Sequence, residues 1–311
     1  MVRPEPWLNT AVTYVDGPTA FKTGLAFWTN EGQPGIQTEH WTTIQPGQPR
    51  NSVRISSKAV FGGGLFIFDL ALMPWGCGVW PAIWTVGNLG TWPQSGEIDI
   101  VEGTQNMTAN QMSVHTSSGC TINTSNRVFT GNALETNCDS TKSGVGCSIV
   151  SDSDTSFGHN FNAAGGGVYA MHITTGFPTP SAWGLPAGTF DASNCNPFQF
   201  FQPQVLVLNI NICGDWAGNT YSQFSYCPGT CASYIADPAN IQNTVMIINS
   251  IKVYQQGGNP AVVGQAFDNR NLTGAGGPVV GRGPLRSLAS CTHTALPKTA
   301  VILVSFIILI S

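Results

Sequence analysis

The chain has 311 residues, a net charge of −4 and charged side chains at only 9% of its positions. It contains no basic cluster, so its composition excludes nucleic acid as the expected partner. Its 36 glycines and 20 prolines are typical of a turn-rich β protein with a polar but weakly charged surface, and the length suits one large domain.

Short strand-like segments separated by turns run along most of the chain. Before residue 50 they are "VTYVDG" and "GLAFWTNEG". After it they are residues 52–61, 64–73, 78–87, 96–102, 110–119, 165–174, 204–213 and 243–256. Glycine, proline and asparagine mark the turns, and no long amphipathic helix is indicated. This order predicts an all-β domain, a sandwich or jelly roll, over residues 1–256. Residues 257–290 are rich in glycine, proline and asparagine, which predicts a flexible linker.

Nine cysteines indicate disulfide bonds and therefore an exported protein. The short intervals 138–147 and 227–231 predict two local bridges. Zinc is the alternative, but no C-x-x-C pair occurs and the histidines are scattered. Export is also favoured by three N-glycosylation sequons, at Asn106, Asn123 and Asn271.

The C-terminal segment "AVILVSFIILI" is apolar except for Ser305. As a helix it would span about 17 Å, too short for a bilayer core of about 30 Å. Small residues at Ser287, Ala289 and Ser290 precede it, so residues 291–311 predict a GPI-attachment signal. Its removal would take Cys291 away and leave eight cysteines. The alternative is a stray apolar terminus from a wrong exon assignment.

The expected location is therefore the extracellular space, the cell surface or the cell wall, with membrane contact only through that anchor. Because residues 1–10 lack the apolar region of a signal peptide, a signal peptide is expected to precede the given sequence.

The stretch "SGEIDIVEG" (95–103) places three carboxylates inside an apolar strand pattern. Side chains alternate along a strand, so Glu97 and Asp99 share a face, while Glu102 would point to the other side. One extra residue in a β-bulge, around Ile100–Val101, would bring Glu102 back to the face of the other two acids. The spacing therefore predicts a bulged strand with three acids on one face.

Three carboxyls on one face predict a raised pKa for at least one of them, as a general acid near neutral pH requires. Retaining glycoside hydrolysis needs two carboxyls about 5–5.5 Å apart, one as nucleophile and one as acid/base. A solvated strand face and a calcium site are the two alternatives for the same residues.

The motif "GEIDIVEG" resembles the signature of glycoside hydrolase family 16, in the E-x-D-x-x-E form of laminarinase-like members. Its surroundings are similar too: "GCGVWPAIW" (76–84), "VHTSSGC" (114–120), "GGGVYAM" (165–171) and "CGDWAG" (213–218). The resemblance covers about residues 10–256 and is strongest to the basidiomycete type of endo-β-1,3(4)-glucanase.

The resemblance implies a β-jelly-roll sandwich with a long cleft on its concave sheet, as in concanavalin A-like lectins and glucanases. It implies Glu97 as nucleophile, Glu102 as acid/base and Asp99 as the assisting carboxylate. It also implies a set of substrate-binding side chains: Arg54, Trp84, Trp92, His115 and Trp216. For each there is a structural alternative: core packing for a tryptophan, a loop cap for His115 and an ordinary surface position for Arg54.

The implied function is endo-acting, retaining hydrolysis of β-1,3 or mixed β-1,3/1,4-glucans by a monomer without cofactor or metal. Two departures qualify it. The first strand of the family is partly missing before Trp7. About twenty residues, including a strand expected in the cleft sheet, are missing near residues 174–176, after "YAMHIT". A cell-wall glucan transglycosylase and a non-catalytic glucan-binding protein are therefore the alternatives.

Overall fold

The computed structural model describes residues 11–125, 128–173, 183–191, 193–254, 262–265 and 305–310. Its strands are β1 (Val12–Tyr14), β2 (Ala26–Trp28), β3 (Pro34–Gln37), β4 (Arg50–Ser52), β5 (Arg54–Phe61), β6 (Gly64–Leu72), β7 (Val79–Gly87), β8 (Glu97–Glu102), β9 (Gln111–His115), β10 (Asn132–Glu135), β11 (Cys147–Val150), β12 (Gly167–Ile173), β13 (Gly188–Asp191), β14 (Gln204–Ile212), β15 (Val245–Tyr254), β16 (Val262–Gln265) and β17 (Ser305–Ile310).

The helices are short: α1 (Gly17–Lys22), α2 (Gly158–Ala163), α3 (Pro197–Phe200) and α4 (Cys231–Tyr234). Single helical turns also occur at Gly214–Gly218, Tyr221–Gln223 and Pro238–Ile241. Within the described part of the chain, no helix has the length and apolar character needed to cross a membrane. The fold is therefore built almost entirely from strands.

Two antiparallel sheets form a sandwich, which confirms the predicted all-β jelly-roll class. The first sheet has the order β10-β11-β9-β8-β7-β14-β5-β16, and the second has the order β13-β17-β12-β6-β15-β3-β2. Strand β6 lies in the predicted segment 64–73 and alternates in burial, with Phe66, Phe68 and Leu70 fully buried. These side chains share one core cluster with Ile98 and Ile100 of β8, so the core fills the space between the sheets.

The outer face of the first sheet, turned away from this core, carries a second apolar cluster. Val60, Ala82, Trp84, Val205 and Val207 form it. Their strand neighbours, such as Ile83 and Leu206, belong to the main core. Because side chains alternate along a strand, this separation identifies which side chains point outward from the sandwich.

The domain continues past its predicted end at residue 256. Strand β16 lies inside the predicted linker and pairs with β5, where Val262 is opposite Phe61. The rest of the linker lies outside the described residues. Since β5 would otherwise form the edge of the first sheet, pairing with β16 covers the open backbone groups of β5.

The place of the missing strand in the cleft sheet stays a prediction, because residues 174–182 lie outside the described part of the chain. Strand β12, the last strand before the expected gap, pairs with β6 in the second sheet. The place next to β12 is taken by β17, which pairs Tyr169–His172 on one side and Gly188–Asp191 on the other. Chain position alone did not tell which sheet the gap affects, because consecutive strands of a sandwich can lie in either sheet.

Four disulfides pair all the cysteines except Cys291, which lies outside the described residues. The predicted Cys138–Cys147 bridge is confirmed, and Cys120–Cys195 is a second bridge. These thiols are therefore not zinc ligands.

The predicted Cys227–Cys231 bridge is wrong, because Cys227 bonds Cys77 and Cys231 bonds Cys213. Cys231 is the first residue of α4, whose capping box is formed by Thr230 and Ser233. The helix directs the Cys231 thiol towards the end of β14.

Candidate active site

The β-bulge in β8 is confirmed, and Ile100 is the extra residue. On β7, Trp84 is opposite Asp99 and Ile83 is opposite Val101, so Ile100 has no partner there. The pairing with β9 also shifts between Asp99 and Glu102. Ile98, Ile100 and Val101 all lie in the core. The bulge therefore places three acids, Glu97, Asp99 and Glu102, on the outer face.

Asn110 satisfies the backbone groups that the bulge leaves unpaired. Its Oδ1 accepts a hydrogen bond of 3.0 Å from the backbone N–H of Glu102, and its Nδ2 donates one of 2.9 Å to the carbonyl of Ile100. Asn110 is fully buried. The side chain thus replaces two sheet hydrogen bonds and fixes the irregular backbone next to Glu102.

Glu102 has the environment of a general acid. It is buried, and Trp80 Nε1–H donates a hydrogen bond of 2.7 Å to its Oε1. Burial, with a smaller contribution from Asp99, raises the pKa of Glu102 to about 8, and the Trp80 hydrogen bond opposes the rise. The raised pKa favours the protonated form of Glu102 at neutral pH, which proton donation to a leaving group requires.

Glu97, Asp99 and Glu102 form a line of acids on the outer face, the acidic row, and Glu97 lies at its more open end. It is half-buried, and its Oε2 accepts a hydrogen bond of 2.9 Å from Nε1–H of Trp92. The Trp92 side chain is 46% exposed, so its ring can meet a ligand while its N–H holds the carboxylate. On β9, the residue opposite Glu97 is His115.

Asp99 lies between the two glutamates and is almost fully buried. Burial raises the pKa of Asp99 to about 8. Its Oδ2 is 3.3 Å from Nε2 of His115. His115 is half-buried beside Trp92, with ring centroids 5.9 Å apart. His115 thus lies beside the acidic row, and its role in substrate binding remains a prediction.

The other predicted binding residues divide into two environments. Trp84 and Arg54 are on the outer face but buried: the Arg54 guanidinium lies 4.6 Å from the centre of the Trp84 ring, and Trp84 Nε1–H donates to Asn209. Trp216 is half-buried and meets Trp80 edge to face, with centroids 6.0 Å apart. The roles of these three residues in binding remain predictions.

Two of the predicted glycosylation sequons lie within the described residues. Asn106 is exposed, and Asn123 is half-buried with its Oδ1 accepting the backbone N–H of Ser125. Asn271 lies outside the described residues. Glycosylation at all three remains a prediction.

Sequence reasoning missed four residues that support the acidic row: Trp80 and Asn110, which bond Glu102 and its backbone, and Ser140 and Gly146, which lie against the His115 ring. Trp80 belongs to the quoted motif "GCGVWPAIW", which was the available signal for its importance. Asn110 acts across the turn between β8 and β9, and Ser140 and Gly146 act from a loop about 25–30 residues beyond His115, so no local pattern indicated them.

Glu97, Asp99 and His115 could also offer metal ligands, since one ligand atom from each lies within 4.8 Å of the others. However, the raised pKa of Asp99 favours its neutral form, and metal ligation requires deprotonated groups. Trp92 already donates to Glu97. The donor set therefore suits proton chemistry better than cation binding.

A β-sandwich with a bulged strand that presents one accessible and one buried glutamate offers the pair of carboxyls that glycoside hydrolases use. The model of XgeA-like catalytic domains of glycoside hydrolase family 16 matches residues 3–177 and 171–254. The chain therefore belongs to this family.

Solved structures and curated relatives agree. Laminarinase 16A from Phanerochaete chrysosporium, with two β-glucans in its donor and acceptor sites, is 34% identical with a TM-score of 0.75, over 82% of this chain and 93% of that one. An elongating family 16 β-1,3-glucosyltransferase is 34% identical with a TM-score of 0.73, over 79% and 91%.

The endo-1,3(4)-β-glucanase xgeA of Emericella nidulans is 36% identical over 82% of this chain and 45% of its own length. A probable glycosidase of Schizosaccharomyces pombe is 36% identical over 78% and 62%. The chain thus spans about half to two thirds of the length of these curated relatives.

Proposed function

We propose that the protein is an endo-acting hydrolase of β-1,3 or mixed β-1,3/1,4-glucans. The observation that carries this proposal is the contrast between Glu97 and Glu102 on one bulged strand. Glu97 is accessible and held by the exposed Trp92, whereas Glu102 is buried and has a pKa raised to about 8. The β-glucans bound by Laminarinase 16A indicate the substrate class.

In the proposed double displacement, the Glu97 carboxylate attacks the anomeric carbon while Glu102 donates its proton to the glycosidic oxygen. The bond to the leaving sugar breaks, and an ester joins the remaining sugar to Glu97. Glu102, now ionised, removes a proton from water, which attacks the anomeric carbon and releases Glu97. The burial that raises the pKa of Glu102 also favours its return to the protonated form.

The substitution Glu97→Ser tests this proposal. It should abolish release of reducing ends from laminarin and lichenan, with a loss of several orders of magnitude in rate, because it removes the covalent catalyst. Turnover near that of the wild type would contradict the assignment. Wild-type protein that binds laminarin but releases no sugar would instead support the non-catalytic alternative.

Transglycosylation is the second candidate function. Similarity to an elongating β-1,3-glucosyltransferase supports it. Both reactions share the ester on Glu97 and differ only in the acceptor, which is water or a sugar. Product sizing from a defined laminari-oligosaccharide separates them, because transfer gives products longer than the substrate and hydrolysis gives only shorter ones.

We also propose that the protein is exported to the cell surface or beyond, which four disulfides support. The predicted GPI-attachment signal includes Ser305–Ile310, which form β17. Cleavage at Ser287, Ala289 or Ser290 would remove β17 from the second sheet. Mass spectrometry of the C-terminal peptide of the mature protein tests this: a glycolipid on Ser287, Ala289 or Ser290 supports anchoring, and a peptide that ends at Ser311 contradicts it.

A further inference from the structure

The His115 ring is held by partners on several sides. Ser140 Oγ is 2.9 Å from its Nδ1, and Asp99 Oδ2 is 3.3 Å from its Nε2. The backbone at Gly146 approaches so closely that a Cβ there would lie 2.8 Å from Nδ1. With the Trp92 ring beside it, His115 has little freedom to turn over and exchange its two nitrogens.

A disulfide-closed loop brings Ser140 and Gly146 to this ring. Cys138 and Cys147 close the loop, and Cys147 pairs with Val114 of β9, the residue before His115. The backbone N–H of Ser140 donates a hydrogen bond of 3.0 Å to the carbonyl of Thr116. Ser140 is only 2% exposed, so its hydroxyl is fixed against the histidine.

The hydrogen bonds of Ser140 determine which nitrogen of His115 carries a proton. A serine hydroxyl has one hydrogen to donate, and the Ser140 Oγ donates to the carbonyl of Val145 at 3.1 Å or to that of Cys138 at 3.4 Å. When it donates to either carbonyl, it accepts from His115 at 2.9 Å, and Nδ1 is then the protonated nitrogen. The second ring nitrogen, Nε2, then has no hydrogen in the neutral imidazole.

Asp99 lies next to this unprotonated Nε2. Among the described residues, its buried Oδ2 has no hydrogen-bond donor, although Nε2 of His115 is 3.3 Å away. Two acceptors facing each other in a buried site are unfavourable. A proton between the two atoms, on Asp99 as a carboxylic acid or on His115 as an imidazolium, converts the contact into a hydrogen bond.

We infer that Ser140 is a positioning residue that fixes His115 in its Nδ1–H form, so that one proton is shared between His115 Nε2 and Asp99 Oδ2. His115 and Asp99 together have no net charge, whether the proton is on Nε2 or on Oδ2. If the proton were lost, a negative charge would appear between Glu97 and Glu102. The disulfide-closed loop thus keeps the middle of the acidic row neutral while the two glutamates change charge.

The ionisable groups around His115 agree with this account. Those of β8 are Glu97, opposite in register, Asp99 and Glu102; burial and Asp99 raise the pKa of Glu102, and His115 opposes part of that rise. The loop adds Asp139, which is half-buried, and Lys142, which is exposed; the two interact with each other. The shared proton is therefore set by the carboxyls of β8 and not by the loop charges.

Nitrogen-15 NMR of histidine-labelled wild-type protein tests the inference directly. The chain has five histidines, and the signals of His115 are assigned by their loss in His115→Ala. In the neutral ring, protonation at Nδ1 is the expected result, and protonation at Nε2 would overturn the inference. This measurement needs no substrate, so it stands or falls independently of the proposed glucanase function.

Variants of Ser140 test its role as a positioning residue. In Ser140→Ala, both neutral forms of His115 should appear, and kcat on laminarin should fall about 10-fold with KM changed less than about twofold. Ser140→Thr keeps the hydroxyl and should restore the Nδ1–H form and most of the rate. Ser143→Ala, in the exposed part of the same loop, is the matched control and should change neither quantity. A Ser140→Ala protein that keeps the wild-type form and rate would overturn the inference.

Discussion

The indole Nε1–H of Trp80 donates a hydrogen bond of 2.7 Å to Oε1 of Glu102. Trp92 makes the equivalent bond to Glu97 at 2.9 Å. Each proposed catalytic carboxyl is therefore held by one tryptophan, but Glu102 is buried and Glu97 is partly open. This difference in burial separates the roles of two residues that are chemically identical.

Removing the Trp80 hydrogen bond should shift the alkaline limit of activity. That bond favours the charged form of Glu102 and lowers its pKa. In Trp80→Phe the pKa of Glu102 should therefore rise above about 8, and the acid should stay protonated to higher pH. We expect the alkaline limb of kcat/KM to move up by about one pH unit, which corresponds to about 1.4 kcal/mol.

The measurement is the pH–rate profile on laminarin. Trp75→Phe is the control, since Trp75 is half-buried and contacts His159 instead of the acids. An alkaline limb that stays in place or moves to lower pH in Trp80→Phe would contradict the role of the hydrogen bond.

Folding stability should fall as pH rises towards 8, partly because of Glu102. Its pKa is raised from 4.5 to about 8 in the folded protein, so between these values the folded state holds a proton that the unfolded state has lost. The stabilisation is complete below pH 4.5 and is lost as pH rises through about 8. The slope for one such group is at most about 1.4 kcal/mol per pH unit.

Denaturant unfolding of Glu102→Gln from pH 5 to 8 checks this linkage. The free energy of unfolding of the variant should fall less steeply with pH than that of the wild type. The fall that remains is due to Asp99, whose pKa is also raised to about 8. Glu135→Gln, on an exposed strand, serves as control and should follow the wild type over this range. Parallel curves for Glu102→Gln and the wild type would show that Glu102 is not protonated in the folded protein.

Asn110→Ala should disturb the bulge. It removes both amide contacts, to the N–H of Glu102 and the carbonyl of Ile100, and leaves two buried backbone groups unpaired. At about 1–3 kcal/mol for each of the two groups, the free energy of unfolding should fall by about 2–6 kcal/mol, and activity should fall with it.

Chemical denaturation and laminarin assays measure both effects. Asn160→Ala removes a side-chain contact of similar type at an exposed site and should cost less than about 1 kcal/mol. If Asn110→Ala were as stable and active as this control, the bulge would not depend on Asn110.

In protein that keeps its C-terminal segment, the second sheet should depend on β17. Ile308 pairs with Met171 on β12 and with Gly188 on β13. Proline at 308 removes a backbone donor from the interior of the sheet, so Ile308→Pro should lower the melting temperature and the soluble yield, while Ile308→Val should not. Equal melting temperatures for both variants would mean that β17 contributes nothing to stability. In that case, insertion of about twenty residues after Ile173 should stabilise the protein.

The bulge could be predicted from the sequence because it follows from the number of residues between the acids of β8. Side chains alternate along a strand, so the interval from Asp99 to Glu102 required one extra residue. The Cys138–Cys147 bridge followed from short spacing in the same way. The fold and the family were recognisable because several motifs occur together, in the right order, over most of the chain.

Disulfide partners, sheet membership and contacts made only in the folded chain could not be predicted by counting residues. The interval between Cys227 and Cys231 suggested a bridge, but the start of α4 directs these thiols to different partners. The sheet that contains the gap after Ile173 depends on how strands cross between layers. Likewise, Asn110 and Ser140 act on β8 and β9 through contacts that only the folded chain creates.

The central claim is that Glu97 forms the covalent bond to the sugar. Peptide mapping by mass spectrometry, after reaction with a 2-deoxy-2-fluoro laminaribioside that carries a good leaving group, tests it most directly. The account predicts one sugar ester on the peptide that contains Glu97, and within it on Glu97 itself. A sugar ester on Glu102, or on any other residue, would contradict it.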